Sequence, residues 1–189
     1  MMKIESPRLI LRSWKESDIA PFASMNQDPK VMEFFLSISS PEESEAMANR
    51  FQKQIDDKGY GPWAVELKST GEFIGFIGLL IVAPHFHFAP AIEAGWRLSQ
   101  KHWGQGLATE GAIEVLQIAF EDLNLEEVVS MTAALNLPSQ RVMQKIGMNH
   151  LAADDFNHPK IEQNHPLCKH VLFRAKREIW SAPNSMAMR

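Results

Sequence analysis

A mixed α/β domain is the fold class this sequence predicts, and three observations predict it. Short aliphatic segments of strand composition, such as Arg8-Leu9-Ile10-Leu11-Arg12 and Trp63-Ala64-Val65-Glu66-Leu67, alternate along the chain with segments whose apolar residues recur every three or four positions. The chain has 189 residues, 45% of them hydrophobic, enough to fill one core. No internal repeat, low-complexity tract or interior linker divides it, so residues 1–180 read as one domain and residues 181–189 as a mobile tail.

Taken in order, residues 8–12 form the first strand, and residues 18–25 and 28–35 read as short helices. Ser40-Pro41-Glu42-Glu43 joins a capping residue, a proline at the first helical position and a glutamate three residues after the cap, so a helix starts there. Met47, Phe51 and Ile55 continue it at helical spacing, and Gly59 and Gly61 end it. Residues 63–67 are a strand, Ser69-Thr70-Gly71 a turn, and residues 73–82 and 91–98 two further strands. Residues 109–123 are the clearest helix: Ala112, Ile113, Leu116, Ala119, Phe120 and Leu123 form one stripe, with Glu110, Glu114, Gln117 and Glu121 opposite. Residues 127–132 are rich in β-formers, residues 138–146 are a short helix stopped by Gly147, and Val171, Phe173 and Ala175 alternate in a late strand.

Composition excludes several functions. A formal charge of −4 is too little positive charge for a chain that grips nucleic acid through phosphates. The single cysteine, Cys168, excludes an intramolecular disulfide framework and, among scattered histidines, argues against a metal site. Lys3, Glu5, Pro7 and Arg8 stand where a secretory signal needs an apolar stretch, so a cytoplasmic location is expected. Residues 73–92 carry no formal charge, as a membrane span would. Pro84, Pro90, His85, His87, Gly75 and Gly78 break that run, which reads more simply as two buried strands joined by a polar loop.

Chemistry concentrates at Leu98 and at Trp103-Gly104-Gln105-Gly106-Leu107-Ala108-Thr109-Glu110, between a strand and the long helix. Glycines let the backbone turn tightly, and unpaired amides at a helix start can hold a phosphate. The turn therefore reads either as a pyrophosphate cradle or as an ordinary strand-to-helix connection. It lacks the third glycine of a dinucleotide fingerprint and the Lys-Ser/Thr of a P-loop. A second element, Asn136-Leu137-Pro138-Ser139-Gln140-Arg141-Val142-Met143-Gln144-Lys145-Ile146-Gly147-Met148, favours the cradle.

These segments, with Ser6-Pro7-Arg8-Leu9-Ile10-Leu11-Arg12 and Glu93-Ala94-Gly95-Trp96-Arg97-Leu98, resemble the GNAT acetyltransferase superfamily, in particular its RimJ/RimL-type branch, across most of residues 6–177. The resemblance implies a mixed central sheet of about seven strands, helices on both faces and a splayed strand pair that holds acetyl-CoA. It implies pyrophosphate on the glycine turn and pantetheine beside the preceding strand. The acceptor would be a primary amine, either a protein N-terminus or a small molecule. Leu98, residues 103–109, Asn136 and Arg141 are the cofactor-binding candidates.

Two departures stand out. Trp103 occupies the place where the superfamily signature has Arg or Gln, so backbone amides must do more. Met143 falls where the superfamily often has a proton-donating tyrosine, and the chain's only tyrosine, Tyr60, lies in another segment. By resemblance Ser139 is the alternative that assists the departing thiolate; by position it is equally a local helix cap. Glu93, by the same resemblance, is the leading candidate to remove the amine proton, directly or through water, with partial burial among Ile92, Ala94 and Gly95 raising its pKa; its other reading is a solvated strand-edge glutamate. His85, His87, His158, His165 and His170 are further candidate bases. Lys101, His102, Arg141 and Lys145 flank the cofactor track. Trp63, Trp96, Phe86 and Phe88 are packing residues or walls of the acceptor pocket. The competing reading is a catalytically weak acyl-CoA-binding or sensor protein on the same fold, and monomer and homodimer both stay open.

Overall fold

The computed structural model describes residues 3–183. In order the elements are β1 (Ile4–Glu5), β2 (Leu9–Arg12), α1 (Glu16–Asn26), α2 (Pro41–Lys58), β3 (Pro62–Leu67), β4 (Glu72–Ile81), β5 (Ile92–Leu98), α3 (Leu107–Glu121), β6 (Glu127–Ala133), α4 (Leu137–Lys145), β7 (Asn149–His150), β8 (Phe156–Asn157) and β9 (Lys169–Lys176). Among the described residues the strands make one nine-stranded sheet, ordered β1-β2-β3-β4-β5-β6-β9-β7, with β8 also on β9. Three of the nine, β1, β7 and β8, are two-residue strands with little periodic signal to read. β5 and β6 pair in parallel, and the other pairings are antiparallel.

Side-chain alternation along the strands divides the core. Ile77 and Ala94 belong to the cluster beneath α3, with Ala112, Val115, Leu116 and Ala119. Phe76, the neighbour of Ile77, points to the other face, against Phe22 and Met25 of α1 and Ala48 of α2. A third cluster, Val82, Phe86, Val129 and Leu172, lies on the C-terminal half of the sheet.

The capping residues behave as their sequence suggests. Ser40 Oγ accepts from Glu43 N–H at 3.2 Å, the Glu43 carboxylate accepts from Ser40 N–H at 2.8 Å, and Gly59 closes α2 at φ +76°. Residues 28–35 are a correction, because they form turns rather than a helix. Asp28 caps as a helix start would, accepting from Lys30 N–H at 2.9 Å, and Met32 N–H reaches Asp28 C=O at 3.0 Å, but Glu33 and Phe35 bond only three residues back, to Lys30 and Met32, so a single turn closes and no helical ladder propagates. α3 begins at Leu107, two residues before the expected Thr109. Residues 73–92 form β4, a loop and the start of β5, and among the described residues no helix is long and apolar enough to cross a membrane. Of the expected tail, residues 184–189 lie outside the described residues.

Candidate active site

The site begins where the sheet stops being continuous. Glu93 opposite Val129 is the one registered pair between β5 and β6 among the described residues. Both strands run on to Leu98 and Ala133, so beyond that pair they diverge and leave facing backbone unpaired. Ser130 Oγ donates to Ala94 C=O at 2.8 Å and holds the crotch of the fork.

Glu93 lies on the face opposite Ala94 and is partly buried. Desolvation pushes its carboxyl up to about 7, against the opposing pull of a hydrogen bond from Met131 N–H on the other arm of the fork. Burial therefore dominates, leaving a carboxylate able to exchange a proton near neutral pH. The histidines form a wall nearby on the same side of the sheet. Phe86 buries itself against Val129, with His85, Phe88, Phe156 and His158 in ring contact with it, and His158 sits 4.9 Å from His170 between ring centres. Desolvation lowers the pKa of both His158 and His170.

Each arm of the fork leads at its C-terminal end into a helix start, the place where ligands of parallel strands collect. After β5, Gly104 and Gly106 take φ of +73° and +75°, a conformation a side chain would strain. The first intrahelical bond of α3 is Glu110 N–H to Gly106 C=O at 2.9 Å, so the amides of Leu107, Ala108 and Thr109 precede the ladder. A Cβ on Gly104 would meet nothing within 4 Å, so the approach is open. The amide set fits an anion.

The turn is braced by Ser6, Arg8 and Glu110, to which the sequence assigned no bracing role. Arg8 Nη1 donates to Gln105 C=O at 2.9 Å, Arg8 Nε donates to Glu110 at 2.6 Å, and Glu110 also accepts from Ser6 Oγ and Arg8 N–H. Glu110, expected on the polar face of α3, instead clamps β2 to the turn. Trp103, still exposed, donates from Nε1 to Leu98 C=O at 2.7 Å, and Gln105 Nε2 donates to Lys101 C=O. Lys101 and His102 are directed at Glu72.

After β6, Asn136 caps α4: its Oδ1 accepts from Ser139 N–H at 3.2 Å while its Nδ2 donates to Thr132 Oγ1 at 2.9 Å. The capping role expected as one reading of Ser139 therefore belongs to Asn136, and the Ser139 hydroxyl makes no hydrogen bond among the described residues. Arg141 is exposed and outside every ion pair among the described residues. The implied place of Met143 beside the sulfur meets a plain obstacle, because its side chain is 1% exposed and packed in the core with Ile146 and Met148. Tyr60 packs against the same core from the turn after α2. Trp63 is fully buried, as packing requires, and Trp96 is partly buried against the α3 cluster.

A mixed sheet forked beside an amide cradle is an architecture for presenting a phosphate-tethered acyl group to a carboxylate base. Residues 8–149 match the acetyltransferase (GNAT) domain family, and the chain belongs to that family of acetyl-CoA-dependent N-acetyltransferases. It is 31% identical over 78% of its length to the uncharacterized protein YkkB of Bacillus subtilis, of which the match covers 86%. It is 35% identical, over 65% of its length, to the FsC-acetyl coenzyme A-N(2)-transacetylase of Aspergillus fumigatus, spanning about half of that larger protein, 52%. An acetyltransferase from Agrobacterium tumefaciens superposes with a TM-score of 0.74 at 26% identity, covering 93% of this chain and 94% of that one.

Proposed function

We propose that this protein transfers the acetyl group of acetyl-CoA to a primary amine by direct attack, with Glu93 as the base. The observation that carries the reading is Glu93 at the last paired position of the fork, its carboxyl pushed up to about 7. Acetyl-CoA supplies an electrophilic thioester carbonyl and a thiolate leaving group. The chain's own residues do the rest. Amides of residues 107–109 bind pyrophosphate, with Leu98, Trp103, Gly104, Gln105 and Gly106 shaping the turn around it and Arg8 bracing it. The diverging arms offer unpaired backbone groups to the pantetheine amides and to the carbonyl oxygen as it gains charge. Glu93 takes the proton lost as the C–N bond forms, and the Ser139 hydroxyl donates a hydrogen bond to the sulfur as the C–S bond breaks. Asn136 positions Ser139 through the α4 cap, and Arg141 on the same helix reaches toward the cofactor phosphates.

The acceptor class, a peptide N-terminus of the RimJ/RimL kind or a small amine, is set by the loops on the α1–α2 side rather than by the fork. The test is release of free thiol from acetyl-CoA in the presence of a mixed pool of amines and peptide N-termini. Turnover above hydrolysis supports an enzyme; tight binding of acetyl-CoA without turnover on any amine supports the sensor reading instead.

A further inference from the structure

Arg97 is a cation without a counter-charge. Arg12 is bound by the carboxylates of Asp18 and Glu66, and Arg174 by those of Glu127 and Asp154. Arg97, on β5, has no carboxylate within ion-pair distance among the described residues. Its Nη1 donates to Asn26 Oδ1 at 2.8 Å, and its Nε is buried with no partner. The group lies 4.2 Å from the ring centre of Phe35 and 5.6 Å from that of Phe76. Aromatic faces soften the burial of a cation but do not replace an anion: desolvation still brings its pKa down to about 10.

One side of it is core, Phe76 and Asn26, and the other is an exposed apolar loop. Phe35, Leu36 and Ile38, in the loop between α1 and α2, leave 45%, 58% and 53% of their surface exposed. Strand alternation puts Glu93, Gly95 and Arg97 on one face, with the Cα atoms of Glu93 and Arg97 about 13 Å apart at roughly 3.3 Å per residue. Two residues further on, the Ser99 hydroxyl is also buried without a partner and lines a cavity of about 360 Å³ with Met25 and Val31. Asp28 and Glu72 border the same cavity; Lys101 is paired with Glu72, and the Asp28 carboxylate accepts from Lys30 N–H.

We propose that Arg97 is an acceptor-binding subsite for a carboxylate, so that the preferred acceptors are primary amines carrying a carboxylate several bonds from the nitrogen across an apolar spacer. This rests on the acetyl-transfer reading above and narrows it. The amine is held at Glu93, the carboxylate at Arg97, and the spacer runs over the partly exposed Leu80, whose side chain covers Gly95 between them. Polyamines, with a second cation where the guanidinium sits, are disfavoured.

The test compares 8-aminooctanoate with its neutral amide, 8-aminooctanamide, in thiol release at saturating acetyl-CoA. The parent is expected to prefer the acid tenfold or more in kcat/KM, and in Arg97→Met that ratio is expected to fall close to one, with Arg97→Lys between. Equal use of acid and amide by the parent overturns the proposal without any variant being needed. A variant in which both substrates fall alike, leaving the ratio intact, also overturns it, because Arg97 then only anchors the loop through Phe35. If the parent turns over no amine, the acetyl-transfer reading fails separately. Calorimetric titration of 8-aminooctanoate into the CoA-loaded protein then decides the subsite: binding to the parent that is lost in Arg97→Met supports it, and equal or absent binding overturns it.

Discussion

Glu93 stands opposite Val129 at the last pair before β5 and β6 part, and its carboxyl accepts a hydrogen bond from Met131 on the other arm. The side chain thus spans the fork. Replacing Glu93 by Gln retains shape and removes basicity, so kcat/KM at neutral pH is expected to fall on the order of a hundredfold or more. The parent's rate should rise with pH through about 7 as the carboxylate forms, and that limb should vanish in the variant; rate profiles over pH 5–9 check both.

The same carboxyl couples stability to pH. Its folded-state pKa of about 7 lies above the ordinary 4.5, so the folded chain holds a proton there that the unfolded chain has released. This group's favourable contribution is fully present below about 4.5 and is lost as pH rises to about 7. Relative to Glu93→Gln, the parent should lose on the order of 3 kcal/mol across that window. Urea unfolding of both proteins at pH 5 and pH 8 reads the difference; a parent that gains stability relative to the variant would contradict the assignment.

Arg8 reaches the glycine turn from the other end of the sequence, bonded to Gln105 C=O and Glu110. Trp103, at the other side of the turn, donates to Leu98 C=O. Arg8→Gln should loosen the amide cradle and raise KM for acetyl-CoA on the order of tenfold, the worth of a charge-assisted contact, with a smaller effect on kcat. Steady-state kinetics with acetyl-CoA as the varied substrate separates the two; an unchanged KM would leave the brace purely structural.

At α4 the cap and the hydroxyl are separable. Asn136→Ala removes the bond from Ser139 N–H and the tie to Thr132, and should cost about 1–2 kcal/mol of stability. Ser139→Ala touches neither, so its melting temperature should stay near the parent's while kcat falls on the order of tenfold to a thousandfold. Thermal melts and rates on the two variants give opposite patterns if the hydroxyl serves the thiolate.

What the sequence made legible was whatever local chemistry decides. The Ser40–Glu43 capping box, the αL glycines at 59, 106 and 147 and the α3 stripe are written within a few neighbouring residues, and each is found in place. The site's contacts across the chain were less legible. Glu110 reads as a solvated helix residue until Arg8 and Ser6, about a hundred positions away, close on it. Residues 28–35 carry a helix-start pattern in Asp28 and Pro29, but so short a segment closes only one i→i−4 bond, Met32 N–H to Asp28 C=O, and continues as turns. Arg97 had an unread signal in its parity: on a strand, Glu93 and Arg97 must share a face, and both charges were visible in the sequence.

Met143 supplies the last test, because its buried packing stands against the place beside the sulfur that the resemblance to the superfamily's tyrosine implies. Its side chain is 1% exposed, packed with Ile146, Met148 and the α3 cluster, while the hydroxyl of Ser139, one turn earlier on α4, is the group without a partner. A tyrosine at 143 must bury its phenol where the core has no space for the larger ring, and overpacking of this kind costs about 1–3 kcal/mol, with a further cost if the O–H finds no acceptor. Met143→Tyr in the Ser139→Ala background should therefore lower the melting temperature by several degrees and restore none of the lost kcat. Rescue of kcat would instead mean that α4 shifts to bring position 143 to the fork, and a solvent-accessible phenol, read by its ultraviolet titration near pH 10, would accompany it.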